Sequence, residues 1–242
     1  MGGVAMHRVF VDGGWDRRPG EVVVGGEEGA HAVQVKRLRA GEVVEVLDGC
    51  GCVGHGEVVE VSRGGRDWRV RVRVGRVEVV ERVGPVVHVC SAVPKGDRAG
   101  QLIDQLSQVG AAMWSALTTD HGIAEGGGHK LERLARIARE GSKQCGRAWA
   151  LTIGGAMTVA EALVAPTGVR VLVGEAGGGP AGGVVLGSGD EVRILIGPEG
   201  GWSARERELM GGVEMVRAGP HVMRIETAAV ACVVALLNAG RV

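Results

Sequence analysis

The residues best suited to chemistry lie in two turns near the carboxyl end of the chain. The first turn, Gly197–Gly201, reads Gly-Pro-Glu-Gly-Gly and follows the predicted strand Glu191–Ile196. Glycines let the backbone approach a ligand closely, and open α/β sheets bind ligands where their strands end. The turn lacks the Gly-Lys-Ser/Thr of a P-loop and does not match Gly-x-Gly-x-x-Gly. A ligand-binding loop and a tight structural turn therefore both fit this segment.

The second turn places ionisable side chains immediately before an apolar stretch that is predicted to form a helix. His221, Arg224 and Glu226 precede this helix, which is predicted over Thr227–Asn238 and ends before a glycine at 240. Charged groups at the start of a buried helix need a counter-charge or a ligand. The pattern fits a structural Arg224–Glu226 ion pair with a threonine as the helix cap, or a ligand site.

The elements that must position these turns begin near residue 84, where strands and helices start to alternate. Strands are predicted at Val86–Val93, Val169–Val173, Glu191–Ile196 and Val213–Val216. Helices are predicted from the Asp97 cap to Gly110, over Lys130–Ser142, after a Thr158/Glu161 capping box and after a Ser203/Glu206 capping box. The glycine-rich stretch 174–189 is interpreted as a loop. Such alternation predicts an α/β fold with a mostly parallel sheet covered on both faces.

The first third of the chain is instead rich in short valine-containing stretches separated by glycine turns. Strands are predicted at His7–Asp12, Glu21–Val24, Glu42–Leu47, Glu57–Val61, Trp68–Val74 and Val77–Arg82, with one helix at Glu28–Arg39. Many closely spaced strands with few helices favour a small β-barrel. The predicted domains are therefore residues 1–83 and residues 84–242.

One predicted strand of the first domain carries a candidate nucleic-acid surface. Strand alternation puts Arg69, Arg71 and Arg73 on one face and valines on the other. Aligned arginines suit contacts to phosphates, although a solvated outer face of a barrel strand gives the same pattern. Further candidates for such contacts are Arg8, Arg37 and Arg39.

The composition gives little support to several other classes of protein. The formal net charge is zero, so a surface for a polyanion would have to be local. The five cysteines are scattered, and Cys50 and Cys52 lack the Cys-x-x-Cys spacing of a metal or redox site. With no apolar run of 18 residues and no signal-peptide pattern, a cytoplasmic protein without a metal is expected.

Several motifs together resemble those of one enzyme family, the 16S rRNA (uracil-N3) methyltransferases of the SPOUT superfamily. Ile196-Gly-Pro-Glu-Gly-Gly, followed by Gly219-Pro-x-x-x-Arg-x-Glu-Thr-Ala, is similar to the family's paired carboxyl-terminal signature. The opening His7-Arg-Val-Phe-Val and the later His31-x-x-x-Val-x-Arg37 and Leu47-Asp-Gly resemble its amino-terminal elements. Lys95-Gly-Asp-Arg98 and Gln144-Cys-Gly-Arg147 also fall where the family has similar motifs. The resemblance thus extends over essentially the whole chain.

The resemblance implies an amino-terminal PUA-like barrel that docks RNA and a trefoil-knotted SPOUT domain that binds S-adenosylmethionine without a metal. It also implies a homodimer, with 16S rRNA or the small ribosomal subunit as the substrate. The cofactor is expected on three loops at the ends of strands. The matching residues are Leu172, Gly174, Ile196, Gly197, Glu199, Gly200, Gly201, Ala218, Gly219, Val222 and Met223.

The same resemblance suggests which residues take part in catalysis. The N3–H of uridine must lose its proton before or during attack on the methyl group. A cation near N3 would stabilise the resulting anion, and a base within reach would take the proton. Arg224 is the candidate for the cation, while Glu226 or His221 is the candidate for the base or for a group that orients Arg224.

The chain departs from the family pattern at Gln105, Gln108, His121 and Lys143. Most of these positions lie in the region expected to bind RNA or to form the subunit interface, whereas the cofactor loops match. Two alternatives therefore stay open beside uracil-N3 methylation. One is another SPOUT RNA methyltransferase that modifies the ribose 2′-oxygen, and the other is a non-catalytic RNA-binding relic of the fold.

Overall fold

The structure is a computed structural model that describes residues 6–11, 13, 15–65, 67–122 and 128–239. Contacts divide the chain into two compact units. The first contains residues 1–82 and 143–149, and the second contains residues 83–142 and 150–242. Segment 143–149 therefore packs with the first unit, although the sequence assigned it to the second domain. The division into functional domains near residue 83 stays a prediction.

The first unit is a mixed five-stranded sheet with one helix. Its elements are β1 (His7–Phe10), β2 (Gly20–Val24), α1 (Gly26–Gln34), β3 (Val43–Leu47), β4 (Cys52–Gly64) and β5 (Asp67–Val79). The strand order is β1-β3-β4-β5-β2, in which β1 and β3 are parallel and the other neighbours are antiparallel. Valines from alternate positions form its core, because successive side chains of a strand point to opposite faces.

Three sequence predictions for the first unit were wrong in extent. Two strands were expected on either side of Gly75, but β5 is continuous because it pairs with β4 along its whole length. Likewise, Glu57–Val61 is only the middle of the longer strand β4. The helix predicted to reach Arg39 ends at Gln34, and Arg37 takes a left-handed φ of 58° that no helix contains. In β1, Asp12 lies outside the described residues.

Lys143, one of the departures from the family pattern, has a structural partner within the first unit. Its side chain is 6% exposed, and its Nζ lies 2.9 and 3.0 Å from the two carboxylate oxygens of Glu28. In the same segment, Trp149 Nε1 donates a 2.8 Å hydrogen bond to Val80 O. A buried lysine is tolerated only when it is paired, so the lysine at 143 is explained by the glutamate at 28.

The second unit is a parallel sheet with helices between its strands. Its elements are β6 (Val86–Ser91), α2 (Arg98–Val109), β7 (Met113–Thr118), α3 (Gly128–Cys145), β8 (Thr152–Ile153), β9 (Met157–Thr158), α4 (Val159–Leu163), β10 (Val169–Pro180), β11 (Glu191–Ile196), α5 (Ala204–Leu209), β12 (Glu214–Arg217) and α6 (Ile225–Leu237). The order is β12-β10-β11-β6-β7-β8, with β9 beside β7, and every pair is parallel. The predicted α/β class with a mostly parallel sheet is confirmed.

Most of the helix ends that the sequence predicted from capping residues and glycines are confirmed. Thr158 and Ser203 each accept a hydrogen bond from the backbone N–H three residues later, and Glu161 and Glu206 bond back, so both capping boxes are confirmed. Gly110 ends α2 with a φ of 108°, a conformation that favours glycine. Asp97 is the N-cap of α2, although its side chain makes no capping hydrogen bond.

Two boundaries near the predicted ligand loops were wrong. Residues 174–180 continue β10 rather than forming a loop, and the register against β12 jumps between Gly174 and Gly179. The last helix begins at Ile225, with Arg224 as its N-cap, so Thr227 lies inside its first turn. The glycine predicted to end this helix lies outside the described residues. The apolar helix α6 packs into the main core of the unit through Ala229, Cys232 and Val233, among others.

Candidate cofactor and substrate site

A cavity of about 670 Å³ in the second unit is surrounded by residues 174–176 of β10, where the pairing with β11 stops, by the ends of β11 and β12, and by the starts of α2 and α6. Ligand pockets commonly measure about 300–1,000 Å³. The parallel pairing of these three strands brings their carboxyl ends to one edge of the sheet. Turns that are distant in sequence therefore meet there, as ligand-binding loops of open α/β sheets do.

The turn after β11 is shaped by the packing of Trp202. A Cβ added to Gly197 would lie 2.7 Å from the ring of this buried tryptophan, which is closer than real contacts allow. Gly201 has a φ of 73° and donates a 2.9 Å hydrogen bond from its N–H to Pro198 O. The glycines at 197 and 201 are thus required by close packing and by backbone conformation, respectively.

The neighbouring turns show the same close packing. A Cβ at Gly174 would lie 2.6 Å from Ile196 Cδ1, and a Cβ at Gly219 would lie 2.5 Å from Met223 Cε. At these glycines the cavity wall is therefore bare backbone. Backbone N–H and C=O groups can contact a ligand there, beside the side chains that line the rest of the cavity.

A polar network ties the end of β7 to the start of α5, which follows the glycine turn. Asp120 accepts hydrogen bonds of 2.6 Å from Ser203 Oγ and 2.5 Å from Arg205 Nη2. The bonds from Arg205 and Ser203 lower the pKa of the Asp120 carboxyl. Behind it, the buried Glu206 carboxylate accepts a 2.9 Å bond from the Asp120 N–H. The first turn of α5 is thereby anchored outside the cavity.

His121, another departure from the family pattern, touches the turn itself. Its Nδ1 lies 3.0 Å from Gly201 O, and a Cβ at Gly200 would lie 3.4 Å from His121 Cβ. The side chain therefore supports the outer side of the turn rather than the lining of the cavity.

One ion-pair cluster connects three elements at the cavity. Arg98 Nη1 lies 2.7 Å from Glu199 Oε1 and 3.6 Å from Glu226 Oε1. The bond to Arg98 holds the pKa of the Glu199 carboxyl below its ordinary value, and the charge of Arg224 adds to this shift. Glu199 in turn raises the pKa of Arg98. Both groups are therefore charged near neutral pH.

The predicted catalytic residues are only partly brought together. Arg224 and His221 are exposed and line the cavity. Glu226, whose side chain is 13% exposed, does not line it and pairs with Arg98 rather than with Arg224. Of the two interpretations of this segment, the Arg224–Glu226 ion pair does not occur among the described residues, because the N-cap position of Arg224 and the first-turn position of Glu226 direct them to different neighbours.

Most of the predicted cofactor residues lie on the cavity wall. Those that line it are Gly174, Ile196, Gly197, Glu199, Gly201, Ala218, Gly219, Val222 and Met223. Leu172 is fully buried in the core beneath the wall, and Gly200 is exposed beside His121. The binding role of each residue stays a prediction.

Several lining residues were not predicted from the sequence. They are Arg98, Glu175, Ala176, Pro198, Trp202, Arg207, Val216, Arg217, Ile225, Ala228 and Cys232. Glu175 and Ala176 directly follow Gly174, the last residue of this segment that was predicted to bind the cofactor. Arg98 stands in a recognised motif, but nothing in its local sequence shows that it faces a turn one hundred residues later.

The predicted arginine stripe of the first unit has the expected alternation and unexpected partners. Arg69, Arg71 and Arg73 are exposed, whereas Val70, Val72 and Val74 are at most 2% exposed. However, Arg71 pairs with Glu60 and lies 3.8 Å from Glu21, and Arg73 lies 4.0 Å from the same Glu21. Facing glutamates thus offset part of the positive charge on this strand.

The other candidate RNA contacts differ in how accessible they are. Arg8 donates hydrogen bonds of 2.7 Å to Glu45 and 2.9 Å to Lys143 O, so it is held inside the first unit. Arg37 and Arg39 follow α1, and both are exposed. Within the described ranges, neither forms a salt bridge, so their charges are available to a ligand. Whether any of these arginines binds RNA stays a prediction.

Among the residues that the structure describes, no cluster of three or more histidine, cysteine, aspartate or glutamate side chains is arranged to hold a metal ion. Across the same residues, no helix has both the length and the apolar composition needed to cross a bilayer.

Comparison with known proteins identifies both units. A model of the RNA methyltransferase domain matches residues 82–237, and a model of the RNA methyltransferase PUA domain matches residues 24–65. A relative from Mycobacterium bovis, named ribosomal RNA small subunit methyltransferase E, is 31% identical over 220 residues. The match covers 86% of this chain and 82% of the relative.

Two solved structures have the same fold over nearly their whole length. A methyltransferase from Legionella pneumophila in complex with S-adenosylmethionine has a TM-score of 0.82 at 23% identity, covering 96% of this chain and 97% of that chain. Ribosomal RNA small subunit methyltransferase E from Neisseria gonorrhoeae, bound to S-adenosylmethionine, has a TM-score of 0.81 at 19% identity, covering 95% and 96%. The expected PUA-like unit and SPOUT-type α/β-knot unit are confirmed. With its cavity at the strand ends of the matched domain, this chain belongs to the RNA methyltransferase family.

Proposed function

We propose that this protein transfers a methyl group from S-adenosylmethionine to N3 of a uridine in 16S rRNA. The observation that carries the proposal is the cavity at the ends of β10, β11 and β12, which is walled by the two signature turns of the family. A relative named for methylation of small-subunit rRNA, and solved relatives that hold S-adenosylmethionine, support the same activity.

The volume of the cavity and the residues of its wall are both suited to S-adenosylmethionine. The turns beginning at Gly197 and Ala218 would hold the nucleoside through backbone groups, because side chains at Gly197 and Gly219 would collide with their neighbours. Ile196, Val216 and Ile225 supply an apolar surface for a planar base. When bound, the cofactor supplies an electrophilic methyl group on a sulfonium sulfur.

The chain's own residues would then position the uridine and handle its proton. Arg224 makes no salt bridge with any residue in the described ranges, so its guanidinium is free to stabilise an N3 anion at the cavity. His221, which lines the same cavity, is the candidate base for the N3 proton. Holding the reacting atoms in line accounts for most of the remaining acceleration.

Glu226 is better suited to an indirect role than to that of the base. Its carboxylate lies behind Arg98 and outside the cavity lining. We therefore assign the proton transfer to His221 and treat Glu226 as a group that orients Arg98.

The assembly and the RNA contacts form the remaining part of the proposal. The first unit would dock the rRNA through exposed arginines such as Arg37, Arg39 and Arg69, and the target base would be turned out of its helix to reach the cavity. A homodimer is supported by the apolar helix α6, on which Val234 is 42% exposed. The protein would act in the cytoplasm on free 16S rRNA or on the small subunit.

Mass spectrometry of rRNA from a strain that lacks this gene tests the proposed function. Loss of one N3-methyluridine from 16S rRNA, restored by the gene on a plasmid, is the expected result. Loss of a ribose methyl group instead would identify a 2′-O-methyltransferase. Unchanged rRNA would overturn the proposal in favour of a non-catalytic relic, even if calorimetry shows that the protein binds S-adenosylmethionine.

A further inference from the structure

Arg98 is a charged cavity residue for which the proposed methyl transfer assigns no task. It begins α2, whereas the signature turns follow β11 and β12. Its Nη1 faces both Glu199 and Glu226, and its Nε lies 3.4 Å from Lys95 O. Its Nη2 makes no hydrogen bond to any residue in the described ranges. The Nε and Nη1 edge of the guanidinium is therefore held in place, and the N–H donors of Nη2 remain available to a ligand.

The cavity carries more positive than negative side chains. Its lining contains the four arginines 98, 207, 217 and 224 but only the two glutamates 175 and 199. Arg207 lies 3.4 Å from Glu175, and Arg98 lies 2.7 Å from Glu199. Arg224 is left without a carboxylate within salt-bridge distance in the described part of the chain. The excess of guanidinium groups favours an anionic ligand.

Glu199 pairs with Arg98 and lies within the electrostatic influence of Arg224. Arg98 holds the pKa of this carboxyl low through a hydrogen bond, and Arg224 and Lys95 contribute through their charges. The Glu199 side chain is nevertheless 48% exposed and stands between Pro198 and Gly200 in the turn. An exposed ion pair contributes little stability, so this carboxylate exchanges readily for another oxyanion.

We propose that Arg98 and Arg224, which line the same cavity, bind an oxyanion of a ligand, and that Glu199 occupies the Arg98 side of this site in the free protein. The inference rests on the proposed function for the identity of the ligand. A phosphodiester of the rRNA and the carboxylate of S-adenosylmethionine offer the same chemistry, because planar guanidinium groups bind both in a forked geometry.

Glu226 keeps Arg98 in place when Glu199 moves away. Its Oε1 lies 3.6 Å from Arg98 Nη1, and its Oε2 is buried without a hydrogen-bond partner in the described residues. A carboxylate this enclosed needs a nearby cation. The guanidinium therefore stays beside Glu226 and presents its outer edge to the incoming oxyanion.

The test compares the variants Arg98→Gln and Arg98→Lys with a matched control, Arg170→Gln. Arg170 also pairs with a glutamate, at 2.6 Å from Glu214, but it does not line the cavity. Binding of a 16S rRNA transcript is measured by filter binding across a range of KCl concentrations, and binding of S-adenosylmethionine is measured by calorimetry. Circular dichroism and a thermal melt verify that each variant is folded.

If the ligand is a phosphodiester, Arg98→Gln is expected to weaken RNA binding and to lower the slope of log K against log salt by about one. The affinity of Arg98→Lys for RNA should then lie between those of the wild type and Arg98→Gln. If the ligand is the cofactor carboxylate, Arg98→Gln is expected instead to raise the Kd for S-adenosylmethionine about tenfold and to leave the salt slope of RNA binding unchanged. If Arg98→Gln matches Arg170→Gln in both assays, the proposal is overturned.

A second variant, Glu199→Gln, distinguishes a carboxylate that competes with the ligand from one that only supports the fold of the turn. Removing the competing carboxylate is expected to tighten binding of the same oxyanion several-fold, since Arg98 then keeps only Glu226 as a counter-charge. Weaker binding, or no change, would show that Glu199 does not compete for the site. Failure of the wild-type protein to methylate 16S rRNA would reject the proposed function, whereas the Arg98 and Glu199 results would still decide whether the oxyanion site exists.

Discussion

Ser203 Oγ donates a 2.6 Å hydrogen bond to Asp120 Oδ2 and so joins the N-cap of α5 to the segment that follows β7. Arg205 binds the other oxygen of the same carboxylate at 2.5 Å. Both donors come just after the turn Gly197–Gly201. The conformation of this turn therefore depends on a residue about eighty positions away.

Replacement of Asp120 by alanine is expected to loosen the glycine turn and weaken cofactor binding. Both bonds from α5 would be lost, while the bond from the Asp120 N–H to Glu206 would remain. We expect the Kd for S-adenosylmethionine, measured by calorimetry, to rise about three- to tenfold, which corresponds to about one hydrogen bond. Glu214→Ala removes a comparable surface ion pair away from the cavity, and an equal loss of affinity in that control would contradict the prediction.

Replacement of Gly197 by alanine is expected to destabilise the second unit. The new Cβ would lie 2.7 Å from the buried Trp202 ring, and such overpacking costs about 1–3 kcal/mol. The free energy of unfolding from urea titration provides the measurement. Gly177→Ala is the matched control, because nothing lies within 4 Å of a Cβ at this position. Equal stability of the two variants would show that the turn accepts a side chain.

Replacement of Arg224 by alanine is expected to slow methyl transfer far more than it weakens cofactor binding. Removing a cation that stabilises a developing anion commonly lowers kcat about 100-fold or more. Single-turnover methylation of 16S rRNA measures the rate, and lysine at this position should restore part of it. A variant that methylates at the wild-type rate would remove Arg224 from the mechanism. Arg170→Ala controls for the loss of an arginine elsewhere in the unit.

Replacement of Val234 by glutamate is expected to convert a dimer into a monomer. Val234 is 42% exposed on α6, in which every residue from 228 to 237 is apolar, and a charge buried in an interface opposes association. Glutamate favours a helix more than valine does, so the fold should persist. Light scattering after gel filtration reports the mass. Val164→Glu, at an exposed valine outside α6, should leave the mass unchanged; a dimer that survives Val234→Glu would place the interface elsewhere.

The stability of the second unit is expected to depend on pH through His88. Burial, with a contribution from Arg193, lowers the pKa of His88 to about 4, and its Nε2 lies 3.0 Å from Ser115 Oγ. Since the unfolded chain binds this proton at a pKa near 6.5, the contribution of His88 to stability is complete above about pH 6.5 and declines as the pH falls toward 4. After allowance for the partial exposure of the ring, the loss in the free energy of unfolding on acidification is about 2 kcal/mol.

Urea titrations of the wild-type protein and of His88→Gln between pH 7.5 and pH 4.5 measure this contribution. The variant should lose less stability on acidification than the wild type does. Parallel curves for the two proteins would mean that other groups account for the pH dependence.

The sequence by itself determined the class of fold and the position of both signature turns. Strand Glu191–Ile196, the capping boxes at Thr158 and Ser203 and the glycine end of α2 are local features, since each depends on residues within about one helical turn. The spacing of the glycine and proline motifs was likewise sufficient to identify the family. Boundaries were less accurate where strand pairing extended an element, as in β5 and β10, because pairing partners lie far away in sequence.

Only the tertiary structure decided which charges meet at the cavity. Glu226 and Arg224 are two residues apart, yet Glu226 pairs with Arg98, and Arg98 also binds Glu199 at a separation of 101 residues. Sequence neighbours in the first turn of a helix point in different directions, whereas parallel strands bring the ends of distant segments to one edge of the sheet. The chemistry of single residues can thus be deduced from the sequence, but the partner of each charge is set by the order of the strands.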